Sequence, residues 1–264
     1  MSRPIRIGLI AEGEAELGDS IPYIKPEDGG KIIEKDKEGA LHTLIRRELK
    51  SAGLPDCDFV DFVQRHPLSN ESRVCKRRTG YSILDLKYLA QVVISWKPEE
   101  VDLILIVVDA DDKLSQRQKD LERALNRIRD NHLDVNDQSI NDRSAGGLAI
   151  KNFEAWLLAD IQTVSRILDV EIEQLENMEI LDDIKNVLET AIAKSTYLSE
   201  VSSNQRPLQI RWKLGFEIDL DIIKTCCSTG YAPFTKGLTE AAKVVMDVLK
   251  TTNSSQSNEA ETQF

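Results

Sequence analysis

Two short acidic segments carry the side chains best suited to chemistry. The first is Glu12-Gly13-Glu14-Ala15-Glu16, and the second is Asp109-Ala110-Asp111-Asp112. Clustered carboxylate oxygens bind hard cations such as Mg²⁺, which typically takes one or two carboxylates together with the phosphate oxygens of a substrate. One such segment alone would be interpreted as an ordinary acidic loop. Two of them, each directly after an apolar run, indicate a metal site, because grouped carboxylates without a cation raise one another's pKa.

Each acidic segment follows a predicted β-strand. The apolar run at residues 5–10 precedes Glu12, and the run at 103–108, the most apolar of the chain, precedes Asp109. A continuous apolar run of this kind is typical of a parallel sheet covered on both faces. Ligands of such sheets bind beyond the carboxyl ends of the strands. Since residues two apart in an extended strand point the same way, we expect Asp109 and Asp111 to present their carboxylates together.

The rest of the apolar pattern predicts an α/β fold, in which a parallel sheet is flanked by helices and followed by a helical C-terminal segment. Further strands are expected at residues 58–63 and 148–150, the latter introduced by the turn-like pair Gly146-Gly147. Helical spacing of apolar residues occurs at 41–49, 83–93 and 121–128, and another helix begins at 153–158. The predicted organisation is an α/β domain at 1–160, helices packed on it at 161–250, and a disordered polar tail at 251–264.

Composition narrows the class of protein. The chain has 264 residues with 41% apolar and 30% charged residues, which is typical of a globular protein, and its net charge of −11 argues against a polybasic binder. No apolar stretch is long enough to span a membrane, and no signal peptide is recognisable, so we expect a cytoplasmic protein. The four cysteines and three histidines are scattered, which makes a zinc site or a disulfide framework unlikely.

The Glu-Gly turn after the first strand and the later Asp-x-Asp resemble the Toprim fold of topoisomerases, primases and related nucleases. More specifically, the chain resembles a Toprim-like domain-of-unknown-function family (DUF four-two-seven-six), found beside SMC-like or ABC-type ATPases. This resemblance covers most of the chain up to about residue 240. It rests on four segments: Glu12 to Glu16, Val108 to Asp112, Phe153 to Asp160, and Ser228 to Leu238 with its Tyr231, Phe234 and Leu238.

The resemblance implies an Mg²⁺-dependent (or Mn²⁺-dependent) nuclease of anti-phage defence, with nucleic acid as substrate and an SMC- or ABC-type ATPase as partner. Asp109 and Asp111 would hold the metal, and Glu12 would be a further ligand or the general acid/base. No topoisomerase tyrosine is evident, so hydrolysis is expected rather than strand passage. The chain differs from the family at Ala15, where Thr or Ser is usual, and in a longer insertion at 17–38. These differences leave the role of Glu16 open.

Glu154 needs a reason for its place in an otherwise apolar helix start. It either adds a ligand to the metal site or is a first-turn glutamate favoured by the helix dipole. The neighbouring Trp156 is interpreted as a core residue rather than a base-stacking platform, because Leu157 and Leu158 beside it are apolar.

One basic cluster stands out against the acidic total. Residues 65–78 contain five Arg or Lys and one Glu, a local charge of +4. Arginine and lysine bind phosphates, so we interpret this segment as a nucleic-acid contact, the alternative being a solvated loop that balances nearby acids. Its candidates, with Lys151 added from the end of the fourth strand, are Arg73, Lys76, Arg77, Arg78 and Lys151.

Three other functions remain open. A sugar-nucleotide transferase also places Asp-x-Asp after a strand, but it gives no account of the Glu-Gly turn. A haloacid-dehalogenase phosphatase is weaker still, because Lys113 occupies the place of a Thr or Val. A non-catalytic Toprim-like regulatory subunit that binds an ATPase is the main alternative. Whether the substrate is DNA or RNA and what the oligomeric state is are left open by the sequence.

Overall fold

Four parallel strands form the central sheet, in the order β2-β1-β3-β4. They are β1 (Ile5–Ala11), β2 (Cys57–Phe59), β3 (Leu103–Asp109) and β4 (Ser144–Ala149). The structure, a computed structural model, describes residues 3–18, 32–60, 80–89, 101–131, 143–173 and 177–261.

The residues of β3 alternate between two hydrophobic cores, one on each face of the sheet. Leu103, Leu105 and Val107 enter the larger core, whereas Ile104 and Ile106 enter the smaller one. This strand is apolar throughout because both of its faces are covered, as the continuous apolar run predicts.

Nine helices surround the sheet in the described parts of the chain. They are α1 (Glu14–Leu17), α2 (Ala40–Ser51), α3 (Leu114–Asn131), α4 (Glu154–Leu158), α5 (Ile161–Leu168), α6 (Ile184–Lys194), α7 (Arg206–Glu217), α8 (Leu220–Cys226) and α9 (Tyr231–Glu261). Short 3₁₀ helices occur at Lys35–Lys37 and Gly80–Leu84. Among the described helices, none has the length and apolar character required to cross a bilayer.

The predicted fold class is confirmed: a four-stranded parallel sheet is flanked by helices and followed by a helical C-terminal segment, an arrangement consistent with a Rossmann-like fold. The strand order has a functional consequence. From β1 the chain goes on to β2 on one side, and from β3 it goes on to β4 on the other side. The boundary between β1 and β3 is therefore a topological switch point, where open parallel sheets form a crevice for ligands.

The fourth strand begins earlier than predicted. The pair Gly146-Gly147 lies inside β4 rather than in a turn before it. A Cβ atom at Gly146 would stand 2.9 Å from Leu125 of α3, and one at Gly147 would stand 2.8 Å from Phe234 of α9. At Gly147 the Phe234 ring leaves no room for a side chain, whereas at Gly146 the ends of Leu121 and Leu125 would have to shift to admit one.

Three further predictions can be compared with the structure: a helix, a strand and the C-terminal tail. Ile83 belongs to the 3₁₀ helix Gly80–Leu84, and helical structure begins again at 86–89, so the predicted helix at 83–93 is interrupted at its start, and its remainder lies outside the described residues. The strand predicted at 58–63 is described only as far as residue 60. Helix α9 runs on to Glu261, through residues that the sequence analysis assigned to a disordered tail.

Trp156 is a core residue, as expected. Its ring is fully buried, stacks on Phe234 of α9 with ring centroids 5.6 Å apart, and meets Tyr231 edge-on at 5.0 Å. This contact joins α4 to α9, so the C-terminal helices share the larger core with the sheet.

Candidate functional site

The switch point is occupied by two carboxylates from the two central strands. Glu12 follows β1 directly, and Asp109 is the last residue of β3. The backbone N–H of Asp109 donates to Glu12 Oε1 at 2.9 Å. This bond joins residues 97 positions apart and fixes the Glu12 side chain across the ends of the two strands.

Asp111 reaches the same place by a turn rather than by extension of the strand. Its φ of 48° lies in the left-handed region, which a non-glycine residue rarely adopts. The turn is held because the Asp111 N–H donates to the Lys151 carbonyl at 3.0 Å. The extended geometry thus ends at Asp109, and the turn rather than strand periodicity places Asp111 near enough for its charge to act on Asp109. The Asp111 side chain is 58% exposed, whereas that of Asp109 is half-buried.

Two glutamates lie deeper behind these three. Glu16, in α1, is 4% exposed, and its Oε2 accepts the backbone N–H of Gly13 at 2.8 Å. Glu154, the first residue of α4, is 2% exposed. Glu12, Glu16, Asp109, Asp111 and Glu154 are called the carboxylate cluster below.

Two buried arginines pair with members of this cluster. Arg117 of α3 donates to Asp111 Oδ2 at 3.3 Å, and Arg211 of α7 donates to Glu154 Oε1 at 3.1 Å. The two side chains are only 7% and 8% exposed, and each has a buried Nε without an acceptor among the described residues. A buried donor without a partner is costly. These arginines are therefore held in place at some expense of stability.

Mutual repulsion shows in the pKa values of the cluster. Burial, followed by the charges of Glu16, Glu12, Glu154 and Asp111, raises the pKa of Asp109 well above its usual value. Burial raises the pKa of Glu12 to about 7 and outweighs the hydrogen bond from the Asp109 N–H, which lowers it; the charges of Glu16 and Asp111 raise it further. Burial, then the charge of Glu154, also raises the pKa of Glu16. Asp109 lies at the centre of the cluster, since all four other carboxylates act on it.

The donor set fits a hard divalent cation. All five groups offer carboxylate oxygens, and the cluster contains more carboxylates than guanidinium groups. Within the described residues, no group of three or more His, Cys, Asp or Glu side chains is placed so that it could hold a metal ion. Mg²⁺ keeps several waters and needs only one or two protein carboxylates, so it does not require such an arrangement. A cation bound here would therefore have one or two carboxylate ligands, and Glu12, Asp109 and Asp111 are the members nearest the strand ends.

One of the five predicted phosphate contacts, Lys151, lies within the described residues. Lys151 Nζ donates to Asp112 and to Asp182, each at 2.6 Å, and these hydrogen bonds raise its pKa to about 12. Its charge is thus shared with two exposed carboxylates outside the carboxylate cluster. The other four candidates, Arg73, Lys76, Arg77 and Arg78, lie outside the described residues.

Sequence reasoning placed all five carboxylates among its candidates and missed both arginines. Arg117 lies in a highly charged helix, where nothing local separates it from neighbouring basic residues such as Lys119 and Arg123. Arg211 is 57 residues from Glu154, and the pair is formed only by tertiary packing. The one local signal for Arg211 is its place beside Ile210 and Leu214 on the buried face of α7.

Comparisons with protein-family models, with curated proteins and with solved structures found no match for this chain.

Proposed function

We propose that the protein is an Mg²⁺- or Mn²⁺-dependent nuclease that hydrolyses phosphodiester bonds at the carboxylate cluster. The observation that carries this proposal is the position of the cluster: Glu12, Asp109 and Asp111 meet at the topological switch point of a parallel sheet, the place where such sheets bind ligands. The resemblance to Toprim-like proteins points to the same chemistry from the sequence side.

Asp109 and Asp111 are the residues proposed to hold the cation, and Glu12 contributes a third carboxylate. When bound, a divalent cation stabilises the negative charge that develops on a phosphoryl group and lowers the pKa of a bound water. The cation also relieves the repulsion that raises the pKa of Asp109. This relief favours binding of a cation over binding of an uncharged ligand at the same place.

The chain's own residues supply proton transfer and positioning. Glu12, with a pKa raised by burial to about 7, is able to accept or donate a proton near neutral pH, as a general acid/base must. Arg117 holds Asp111 through the 3.3 Å contact, and Arg211 holds Glu154 through the 3.1 Å contact. Glu16 and Glu154 lie behind the strand ends, where their charges act on Asp109 without being exposed to substrate.

The proposed substrate is DNA or RNA. The basic residues at 73–78, identified from the sequence, are the proposed contacts to its phosphate backbone. The resemblance adds a partner, an SMC- or ABC-type ATPase that licenses cleavage. This partner and a role in anti-phage defence rest on the resemblance alone.

The test is cleavage of plasmid, linear DNA and tRNA by purified protein with Mn²⁺ or Mg²⁺, with and without a neighbouring ATPase. Asp109→Asn and Asp111→Asn are each expected to reduce the rate by at least about a hundredfold, because they remove proposed cation ligands. Asp112→Asn is the matched control, since Asp112 lies in the same loop but pairs with Lys151. Cleavage that persists in the first two variants, or that requires no divalent cation, would overturn the proposal.

A non-catalytic regulatory subunit is the second candidate. It is favoured by the two ion pairs, in which Arg117 and Arg211 already neutralise Asp111 and Glu154 in part without a cation. Binding of an ATPase partner that is unchanged in Asp109→Asn and Asp111→Asn, with no cleavage of any substrate, would support this alternative.

A further inference from the structure

Tyr81 is an exposed aromatic residue beside the carboxylate cluster. It follows Gly80, whose N–H donates to the Glu12 carbonyl at 3.1 Å and whose φ of 59° suits glycine. The side chain of Glu12 also reaches this point, since a Cβ on Gly80 would stand 3.7 Å from Glu12 Oε2. The start of the 3₁₀ helix is thereby fixed next to a proposed cation ligand.

One face of the Tyr81 ring is already covered by a cation. The guanidinium carbon of Arg117 lies 3.8 Å from the ring centroid, a close cation–π contact. Because Arg117 also contacts Asp111, the ring, the guanidinium and the carboxylate form one continuous contact. Tyr81 nevertheless remains 53% exposed, so much of the ring is open to solvent.

Tyr81 is exposed although a second tyrosine of the same segment is buried. Tyr88, seven residues later, is 4% exposed and belongs to the smaller core together with Ile83 and Leu84. The same segment thus places one tyrosine in the core and leaves the other outside, supported by a buried arginine. A rigid aromatic ring next to a site for phosphodiester chemistry is the feature that proteins use to stack an unpaired nucleobase.

We propose that Tyr81, supported by Arg117, is a stacking platform for an unpaired nucleobase next to the phosphodiester bond that is cleaved. This inference rests on the proposed function and narrows its substrate class to single-stranded or locally unpaired nucleic acid. Bases within a duplex are already stacked on their neighbours and offer no free face to the ring. The sugar is left open, because every base of DNA or RNA has a face that can stack.

The test measures binding apart from cleavage. Fluorescence anisotropy reports the Kd for a short single-stranded oligonucleotide and for the matching duplex, with Ca²⁺ in place of Mg²⁺. Tyr81→Leu is expected to weaken single-strand binding about tenfold, whereas Tyr81→Phe, which keeps the ring, restores most of the affinity. Phe216→Leu is the control, since Phe216 is 52% exposed on α7 and its ring contacts Trp212 and Lys213. Thermal unfolding of each variant verifies that it is folded.

The outcomes separate the two proposals. Equal binding of single strand and duplex with no loss in Tyr81→Leu overturns the platform, whether or not the protein cleaves nucleic acid. An equal loss in Tyr81→Phe and Tyr81→Leu also overturns it, because the hydroxyl and not the ring would then be required. Ring-dependent binding in a protein that cleaves none of the substrates supports the platform and contradicts the nuclease.

Discussion

Two groups of charged side chains in this molecule act in opposite directions on the pKa of their carboxylates. In the Arg46 cluster, formed by Glu38, Arg46 and Asp56, one guanidinium donates to both carboxylates and to the Cys57 carbonyl. Burial works to raise the pKa of Asp56, but the Cys57 N–H and Arg46 outweigh it and lower the pKa. In the carboxylate cluster, burial and neighbouring carboxylates together raise the pKa of Asp109.

The direction of the pKa shift distinguishes charges that stabilise the folded state from charges that destabilise it. A carboxylate with a lowered pKa contributes to the free energy of unfolding at neutral pH, whereas one with a raised pKa reduces it. Perturbed pKa values of the second kind are found where a protein retains charge for chemistry. The carboxylate cluster therefore has the electrostatics of a site, and the Arg46 cluster has those of a structural ion pair.

The largest expected effect is at the structural pair. Arg46→Met leaves Glu38, whose side chain is 4% exposed, without its guanidinium partner, so we expect the free energy of unfolding to fall by about 4 kcal/mol. Urea denaturation measures this change. Lys35→Met is the control, because Lys35 contacts the same Asp56 in an exposed pair at 3.5 Å and should cost less than about 1 kcal/mol. Equal losses of stability in the two variants would contradict the assignment of the Arg46 cluster as a structural ion pair.

Removal of an arginine that pairs with the carboxylate cluster is expected to lower the free energy of unfolding by less. Arg211→Met takes the partner from buried Glu154, and we expect the free energy of unfolding to fall by about 3 kcal/mol. Part of the cost is relieved because carboxyls of raised pKa, such as Glu16, take up a proton readily. Arg166→Met, which breaks an exposed contact of 3.8 Å with Glu217, is the control. A loss larger than that of Arg46→Met would contradict the comparison.

The dependence of stability on pH should follow Glu12. Its pKa is about 7 in the folded protein against an ordinary value of 4.5, so the folded state binds more protons between these values. Stability is therefore highest below pH 4.5 for this group and falls as pH rises toward 7, by about 2 kcal/mol. Thermal unfolding across this range measures the slope, which Glu12→Gln should flatten. Mg²⁺ should raise the Tm more at pH 8 than at pH 5. Stability that rises between pH 4.5 and pH 7 would contradict the raised pKa of Glu12.

The smallest expected change in the free energy of unfolding is at Asp109, and its sign is opposite to the change expected at the Arg46 cluster. Asp109→Asn replaces a carboxylate that four others repel by a neutral group of the same shape, so the free energy of unfolding at pH 8 without divalent cations should rise by about 1 kcal/mol. Asp112→Asn, which removes an exposed pair with Lys151, should change it by less than about 1 kcal/mol. Destabilisation by Asp109→Asn would show that Asp109 has a structural role.

The sequence predicted those features that depend on neighbours along the chain. Strands β1 and β3 are continuous apolar runs, and the acidic segments directly follow them, so both the sheet and the place of Glu12 and Asp109 could be inferred. The start of β4 could not, because the reason for Gly146 and Gly147 is the close packing of two helices far away in the chain.

The site itself depended on contacts that no local pattern records. The left-handed turn at Asp111 results from pairing with the backbone of Lys151, forty residues later. The charges that oppose the cluster, Arg117 and Arg211, come from two helices whose sequences look like ordinary charged surface and ordinary amphipathic helix. Sequence reasoning thus found the carboxylates but not the groups that set their electrostatics.

The two adjacent glycines of β4 have a consequence for how the layers of the molecule are spaced. At these two positions β4 has no side chain, so α3, which carries Arg117, and α9, whose Phe234 stacks on Trp156, approach its two faces closely. A methyl group added at Gly147 would have to displace the ring of Phe234, and with it the stacking of α9 on Trp156 of α4, the helix that begins with Glu154. The tolerance of the site to substitution is therefore set in part by two residues that have no side chain and touch no charge.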